Sequence, residues 1–312
     1  MIAYGGQEKG GGGFQEGKDF CWLKTCANFL KIGAKPVSIA YPLPLASFLA
    51  LSLSDSGIFE FSLSYIFCFL FFTAVNLWNH LNDAKDDARV GKKDAPFLIE
   101  MRKEAMIFSV LFYILSASML SLSKDRISIP LFLICATLTW VYSDKQFFGK
   151  KFQRLKEDYR TEILTYLIVT PSFPAILWTF FAPISTTAVI FSLIFALLYL
   201  SGVLLKDLKD ITEDKIAGYK TLAVVFSPEN LFKISALILI STISLIPLLS
   251  FFSLLPARSK FVAILLIPIF YSIFSIKKHN WELSMETLSA IRIYTFCYPT
   301  AFVLLSILSL EF

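Results

Sequence analysis

Long apolar stretches recur along the whole chain, and they constrain its fold more than any other feature. A helix needs about 17 to 25 mostly apolar residues to cross a bilayer. Nine stretches approach or reach that length, at residues 37–54, 57–79, 105–123, 127–143, 162–182, 185–205, 231–254, 259–276 and 288–310. Hydrocarbon offers no partners to backbone polar groups, and these runs are continuous rather than alternating, so they predict helices. The chain is therefore expected to be an all-α, polytopic membrane protein with nine transmembrane helices.

Composition supports this interpretation. The 312 residues are 56% hydrophobic, which is more apolar surface than one soluble core can hide. Residues 1–19 are rich in glycine and are expected to be disordered. Residues 20–312 are expected to form one transmembrane domain in contact with membrane lipids, and we expect no nucleic-acid partner.

The basic residues predict how the chain is oriented. The segment before the first span and the connections after spans two, four, six and eight lie on one side of the membrane. They carry 25 of the 29 lysines and arginines, if Arg292 at the start of the last span is included. By the positive-inside rule this side is cytoplasmic, in the cell membrane.

An acidic cluster marks the cytoplasmic end of the second span. Asn79, Asp83 and Asp87 are spaced i, i+4 and i+8, so they share one face if the helix continues. Like charges on one face repel each other, and such a cluster is costly unless a cation neutralises it. Taken alone, the cluster is also compatible with a solvated helix end.

A second acidic cluster follows the sixth span. Asp207, Asp210 and Asp214 are spaced i, i+3 and i+7, and they too are expected to share a helical face. Both clusters are predicted on the same side of the membrane, four spans apart, as in a repeated unit. Hard oxygen ligands of this kind select Mg²⁺ or Ca²⁺ over zinc, and Mg²⁺ commonly joins carboxylates to phosphate oxygens. We therefore predict that two opposed acidic faces hold a diphosphate through metal ions.

A basic connection follows the fourth span, between the two acidic clusters in the sequence. Its cations are Lys145, Lys150, Lys151, Arg154, Lys156 and Arg160. Such groups suit the binding of a departing phosphate. Attraction to anionic lipid head groups is an alternative role for at least half of the lysines.

At these residues the sequence resembles the UbiA family of intramembrane prenyltransferases. The family carries an N-x-x-x-D-x-x-x-D motif after its second helix, matched here by Asn79, Asp83 and Asp87, and a second aspartate-rich motif after its sixth. Gly218, Thr221 and Leu222 follow that second motif, as is typical of the family. The resemblance covers the chain from about residue 35 to the C-terminus.

The resemblance implies nine helices around a central cavity, with Mg²⁺ and an isoprenoid diphosphate at its cytoplasmic end. It implies that Tyr142 lies near the reacting carbon and that Lys145 is a candidate diphosphate ligand, and Lys35 before Pro36 matches a basic-proline step of the family. From the two acidic motifs and the basic connection we further predict that Asp83 and Asp210 are catalytic and that Lys35 and Arg154 bind the diphosphate. The acceptor would be an aromatic ring or a glycerol-phosphate-type lipid, as in quinone or ether-lipid synthesis. The sequence departs from the family pattern at His80, at Ala223 and in the spacing of Lys145 from Tyr142.

Two other functions remain open from the sequence. The acids Asp83 and Asp86, followed by Ala88 and Arg89, partly match the signature of CDP-alcohol phosphotransferases, although the spacing differs. An ion-coupled transporter of an anionic substrate would also suit a repeated half with intramembrane acids. Transporter sites usually lie near the bilayer midplane, however, whereas these acids are predicted at helix ends.

Overall fold

A computed structural model describes residues 13–35, 43–209, 211–216, 218–281 and 284–310. The described part is helical, apart from a single bridge between two loops. Its α-helices are α1 (Gly13–Gly33), α2 (Leu43–Ser52), α3 (Ile58–Arg89), α4 (Ala95–Glu100), α5 (Arg102–Met119), α6 (Ser128–Ser143), α7 (Tyr159–Trp178), α8 (Thr186–Val203), α9 (Ile211–Ile216), α10 (Leu222–Val225), α11 (Pro228–Phe251), α12 (Leu266–Lys278) and α13 (Leu288–Ser309). Short 3₁₀ segments lie at Leu120–Leu122, Phe148–Lys150, Leu155–Glu157, Lys206–Lys209 and Ala257–Leu265.

The structure confirms a polytopic helical bundle. Seven helical segments of the described residues are long and apolar enough to cross a bilayer: Ile58–Arg89, Arg102–Leu122, Tyr159–Trp178, Thr186–Val203, Pro228–Phe251, Ala257–Lys278 and Leu288–Ser309. The first and fourth predicted spans correspond to the shorter helices α2 and α6, so the count of nine is not confirmed. Helix α1 begins at Gly13, inside the segment 1–19 that was expected to be disordered, and residues 1–12 lie outside the described part.

The long helices form a closed ring. In order around the ring, α2 packs on α3, α3 on α6, α6 on α7, α7 on α8, α8 on α11, α11 on α12, α12 on α13, and α13 returns to α2. Helix α5 packs outside α3. This ring brings α3, α6, α7 and α8 together on one side of the bundle.

Helix α3 extends well beyond the predicted apolar span, as one continuous helix of 32 residues. Its sequence contains no glycine or proline, which are the residues that most weaken a helix. It ends before Gly91, which adopts a positive φ of 77°, a conformation that suits glycine and commonly closes helices. Asn79, Asp83 and Asp87 therefore lie on one uninterrupted helix, as predicted.

The second acidic motif does not continue a helix, which corrects the prediction of a shared helical face. Helix α8 ends at Val203, Asp207 lies in the 3₁₀ segment Lys206–Lys209, and Asp214 lies in the separate helix α9. Ser201 and Gly202, which favour a helix less than alanine or leucine does, precede this end. A Cβ at Gly202 would lie 3.0 Å from the ring of Tyr298, so close packing against α13 favours glycine there.

Two connections between helices meet along their backbones. The N–H of Tyr159 donates to the carbonyl of Lys220 at 2.8 Å, and the N–H of Lys220 donates to the carbonyl of Glu157, also at 2.8 Å. These bonds form a parallel bridge between Asp158 and Lys220. The basic connection before α7 is thereby fixed beside the segment that follows the second acidic motif.

Candidate functional site

A cavity of about 220 Å³ lies between α3, α6, α7 and α8. Phe72, Phe173 and Phe195 form much of its apolar wall. At one end the lining becomes polar, with Asn79, Ser143, Tyr142, Tyr166 and Thr165. The cavity therefore joins an apolar chamber to the end of α3 that carries the first acidic motif.

Asn79 is fixed by donors from two other elements. Its Oδ1 accepts a hydrogen bond from Ser143 Oγ at 2.7 Å and another from Lys156 Nζ at 2.8 Å. Ser143 is the last residue of α6, and Lys156 belongs to the 3₁₀ turn before α7. The amide oxygen of Asn79 thus faces the interior of the site.

Asp83 pairs with two cations of the basic connection. Its Oδ1 accepts from Arg154 Nη1 at 2.6 Å, and its Oδ2 accepts from Lys156 Nζ at 2.5 Å. The Asp83 side chain is 20% exposed and the Arg154 side chain is 2% exposed. At such burial, charges require pairing, so the first acidic motif and the basic connection are folded against each other.

Arg154 has three partners. Besides Asp83, its Nε donates to Glu157 Oε1 at 2.5 Å and its Nη2 donates to the hydroxyl of Tyr219 at 3.0 Å. Burial disfavours the charge on Arg154, but the carboxylates of Asp83 and Glu157 raise its pKa above the usual value. The guanidinium is charged, and it links the first acidic motif to the segment that follows the second.

The surroundings stabilise the positive charge of Lys156 less than that of Arg154. Burial lowers the pKa of its ammonium group, and the nearby carboxylate of Asp83 opposes this shift only in part. Its ammonium nevertheless lies within hydrogen-bonding distance of oxygens from both Asn79 and Asp83. These two side chains therefore converge on one positive charge.

The other acids at the end of α3 pair with different cations. Asp87 accepts from Lys92 Nζ at 2.8 Å. Asp86, which was not predicted as a site residue, forms an ion pair with Lys145, and the backbone N–H of Lys145 donates to Asn82 Oδ1 at 2.8 Å. Lys145 is therefore tied to α3 beside the predicted ligands rather than to Asp83.

Lys35, the other predicted diphosphate ligand, follows directly after α1. Its backbone N–H donates to the carbonyl of Gly33 at 2.9 Å, and Asn76 Nδ2 donates to the same carbonyl at 2.9 Å. Since Asn76 lines the cavity, the end of α1 is attached near the site. A role for Lys35 in binding diphosphate stays a prediction.

Tyr142 belongs to a polar network that the sequence analysis missed. Its hydroxyl lies 2.9 Å from that of Tyr166 and 3.2 Å from Glu162 Oε1. Lys206 Nζ donates to Tyr142 at 3.1 Å, also contacts Tyr166, and lies 3.2 Å from Glu162 Oε1. Tyr142 lines the cavity, where Tyr166 of α7 and Lys206 contact its hydroxyl. Its position near the reacting carbon stays a prediction.

Glu162 is the residue of this network that the sequence could have revealed. It is 1% exposed and lies in the first turn of the apolar helix α7. An ionisable group within a membrane-spanning helix is costly and usually has a functional partner. Lys206 carried a weaker signal because it is one of several cations near the second motif.

The structure describes only part of the second motif. Asp210 and the side chain of Asp207 lie outside the described residues. Asp214 Oδ2 accepts a hydrogen bond from Thr221 Oγ1 at 2.8 Å. The placement of these three carboxylates around a shared metal therefore stays a prediction.

The donors of the first motif fit a hard divalent cation. Among the described residues, no three His, Cys, Asp or Glu side chains converge as a metal-binding group. Asn79 and Asp83, however, direct two oxygens at the ammonium of Lys156, so they already surround a cation. An amide oxygen and a carboxylate are ligands that Mg²⁺ accepts, with water or phosphate completing its shell.

Comparison with known sequences identifies related proteins. The model of the UbiA prenyltransferase family matches residues 40–295. An uncharacterized protein from Archaeoglobus fulgidus is 45% identical over 271 residues, which cover 86% of this chain and 94% of that protein.

Solved structures share the fold at lower sequence identity. A structure of digeranylgeranylglyceryl phosphate synthase matches with a TM-score of 0.63 and 19% identity, covering 90% of this chain and 98% of that one. A UbiA homolog from Archaeoglobus fulgidus bound to GPP and Mg²⁺ matches with a TM-score of 0.60 and 16% identity, covering 89% and 99%. At these identities the likeness shows the helical architecture.

Proposed function

This chain belongs to the UbiA prenyltransferase family, and we propose that it transfers a prenyl group from an isoprenoid diphosphate to an acceptor within the membrane. The observation that carries the proposal is the junction between the apolar cavity and the charged cluster around Asp83. An isoprenoid diphosphate has the same two parts, an apolar chain and a compact anion. Its chain would occupy the cavity while its diphosphate lies at the charged end.

We propose Mg²⁺ as the cofactor. Its ligands would come from the two acidic motifs: Asn79, Asp83, Asp87, Asp207, Asp210 and Asp214. Bound Mg²⁺ would supply positive charge that stabilises the departing diphosphate. The related structure bound to GPP and Mg²⁺ supports this assignment.

Arg154 and Lys156 are proposed to bind the diphosphate. Both cations form ion pairs with Asp83, and they would turn toward phosphate oxygens once Asp83 binds the metal. The planar guanidinium of Arg154 suits bidentate contact with phosphate, whereas Lys156 contributes a point charge. Stronger contacts to the departing anion than to the intact substrate would lower the barrier to breaking the allylic C–O bond.

Aromatic side chains around the cavity would stabilise the positive charge that develops on the prenyl carbon. Tyr142 and Tyr166 line the polar end, and Phe72 and Phe173 line the apolar part. A cation over an aromatic face gains about 0.5 to 2 kcal/mol, and exclusion of water protects the reactive carbon. Glu162 and Lys206 would hold both tyrosine hydroxyls in place during this step.

The acceptor would meet hydroxyl groups rather than charges in the cavity. None of the described residues that line it carries a basic side chain, whereas Thr139, Thr165 and Thr170 contribute hydroxyls. The proposed acceptor classes are an electron-rich aromatic ring and a glycerol-phosphate-type lipid, the second supported by the similarity to digeranylgeranylglyceryl phosphate synthase. The distribution of basic residues supports a site that faces the cytoplasm.

The proposal is tested with purified protein in lipid nanodiscs, radiolabelled geranylgeranyl diphosphate and a panel of aromatic and glycerol-phosphate acceptors. We expect one acceptor to become prenylated when Mg²⁺ is present, and EDTA to abolish the product. Asp83→Ala should lower turnover by about 100-fold or more, because both the proposed metal and the two cations lose a partner.

The matched control is Asp94→Asn, an exposed acid in the connection after α3. This variant should retain full activity. Near-normal turnover of Asp83→Ala with the productive acceptor, or turnover that is independent of divalent metal, would contradict the proposed site. Uptake of the substrate into vesicles without any chemical change would instead indicate a carrier.

A further inference from the structure

An exposed aromatic and basic segment lies in the connection between α6 and α7. Its sequence is Phe-Phe-Gly-Lys-Lys-Phe over residues 147–152, and we refer to it as the aromatic loop. Phe147 is 62% exposed, Phe148 is 42% exposed and Phe152 is 61% exposed. Lys150 and Lys151 are exposed as well. The loop thus presents three phenyl rings and two charges on the outside of the protein.

The start of the loop has a defined shape. The carboxylate of Asp144, which is 1% exposed, accepts backbone N–H bonds from Gln146 at 2.8 Å, Phe147 at 3.1 Å and Phe148 at 2.5 Å. A Cβ added at Gly149 would lie 2.1 Å from the backbone oxygen of Asp144, so only glycine fits this turn. These contacts fix the backbone of the turn from which Phe147 and Phe148 project.

Two of the three rings contact each other, and all three are exposed. Phe148 and Phe152 stack with their centroids 4.8 Å apart. Three exposed phenyl rings within six residues form an apolar patch, which in a soluble setting would favour association with another surface. Aromatic rings beside lysines are also the composition of segments that lie in the interface of a bilayer.

The position of the loop favours lipid as the contacting surface. It joins α6 and α7, two apolar helices of the bundle, and α7 is long enough to span the bilayer. Its ends are therefore held near the membrane surface. Lys150 and Lys151 complement anionic head groups, which attract basic residues near the membrane surface.

We propose that the aromatic loop is a membrane-binding site that inserts its phenyl rings into the interfacial region of the bilayer, with Lys150 and Lys151 on anionic phospholipid head groups. The loop runs directly into Arg154 and Lys156, which bind Asp83. Lipid contact at the loop thus holds the segment that delivers both cations to the candidate site. The proposal depends on residence in a membrane and goes beyond the proposed reaction.

The test measures the depth of a nitroxide label at Phe148→Cys by EPR power saturation, with oxygen as the membrane probe and a nickel complex as the aqueous probe. The background is Cys21→Ser with Cys26→Ser, because the other cysteines, Cys68, Cys135 and Cys297, are buried. Labels at Ile267→Cys, 70% exposed on a spanning segment, and at exposed Lys93→Cys provide the lipid and water references.

In vesicles of phosphatidylcholine with phosphatidylglycerol, the label at position 148 should favour oxygen over nickel, as at position 267. Without phosphatidylglycerol, or with Lys150→Gln and Lys151→Gln, the label should shift toward the value of the aqueous reference. A label at Phe152→Cys provides an independent second reading if Phe148→Cys folds poorly. Nickel accessibility equal to that at position 93 in both vesicle types would overturn the proposal and indicate a soluble partner or bare exposure.

Discussion

The guanidinium of Arg154 bonds the carboxylate of Asp83 at 2.6 Å, although the two residues are 71 positions apart in the chain. Arg154 also donates to Tyr219, which follows the second acidic motif. One side chain therefore connects the end of α3, the basic connection and the segment after α8. The geometry of the candidate site depends on this arrangement.

Replacing Arg154 with lysine should therefore not be conservative. Lysine carries the charge but lacks the planar fork that reaches Asp83, Glu157 and Tyr219 together. We expect the free energy of unfolding to fall by about 1 to 3 kcal/mol, because buried partners lose their hydrogen bonds. Thermal and denaturant unfolding in nanodiscs would measure the loss. Arg160→Lys is the control at an exposed arginine, and equal stability of the two variants would contradict the prediction.

Lys156→Met should strengthen the binding of a divalent metal in the absence of diphosphate. The ammonium of Lys156 donates hydrogen bonds to oxygens of Asn79 and Asp83, and a metal that binds these oxygens must displace it. Hydrogen bonds to charged groups contribute about 1.5 to 3 kcal/mol, so the Kd for Mn²⁺ should fall by roughly tenfold or more. Titration of Mn²⁺ followed by EPR measures this directly.

The same variant should bind the diphosphate more weakly, since one of its two proposed cations is lost. Lys103→Met removes an exposed lysine from α5 and should change neither affinity. An unchanged Kd for Mn²⁺ in Lys156→Met would mean that Asn79 and Asp83 do not hold the metal as proposed.

Glu162→Gln should destabilise the protein through Lys206. The carboxylate is buried and lies 3.2 Å from Lys206 Nζ, which keeps 35% of its side chain exposed. We expect a loss of about 1 to 2 kcal/mol, below the range for a fully buried pair because solvent screens Lys206. Adding Lys206→Met to Glu162→Gln should restore part of the stability. A double variant that is less stable than the single one would show that the pair is not what stabilises this region.

Gly149→Ala should disturb the turn before Arg154. The new Cβ would lie 2.1 Å from the backbone oxygen of Asp144, so the backbone must shift. Overpacking of this kind costs about 1 to 3 kcal/mol, which unfolding experiments can detect. Gly57→Ala is the comparison, because its nearest contact would be an ordinary 3.6 Å to Glu60 Oε2. A similar, small effect of both substitutions would contradict the close approach at Gly149.

Regular patterns in the sequence predicted much of the fold and the helical arrangement of the first acidic motif. Continuous apolar runs predicted a span over 57–79, and the spacing of Asn79, Asp83 and Asp87 predicted one shared face if the helix continued beyond it. The helix does continue, to Arg89. The second motif was predicted on a continuing helix, but α8 ends at Val203. The spacing of acidic residues cannot reveal where a helix ends. Near this end, a Cβ at Gly202 would lie 3.0 Å from the ring of Tyr298 in α13, a contact that the spacing does not report either.

The ion pairs of the site could not be predicted from the sequence either. Composition could not separate the six cations of the basic connection, and Lys145 and Arg154 were the two selected as candidate ligands. In the structure Arg154 and Lys156 are the two that contact Asp83. Their selection depends on the 3₁₀ turn Leu155–Glu157 and on its bridge to Lys220. Such long-range backbone pairing leaves no periodic signal in either segment.

The backbone hydrogen bonds made by the N–H groups of Tyr159 and Lys220 limit how the two connections can move. These bonds join the stretch of chain before α7 to the stretch between α9 and α10, so neither stretch can move outward alone. If the cavity widens beside these stretches to admit the polar head group of a substrate, both stretches must move together, or the two hydrogen bonds must first break.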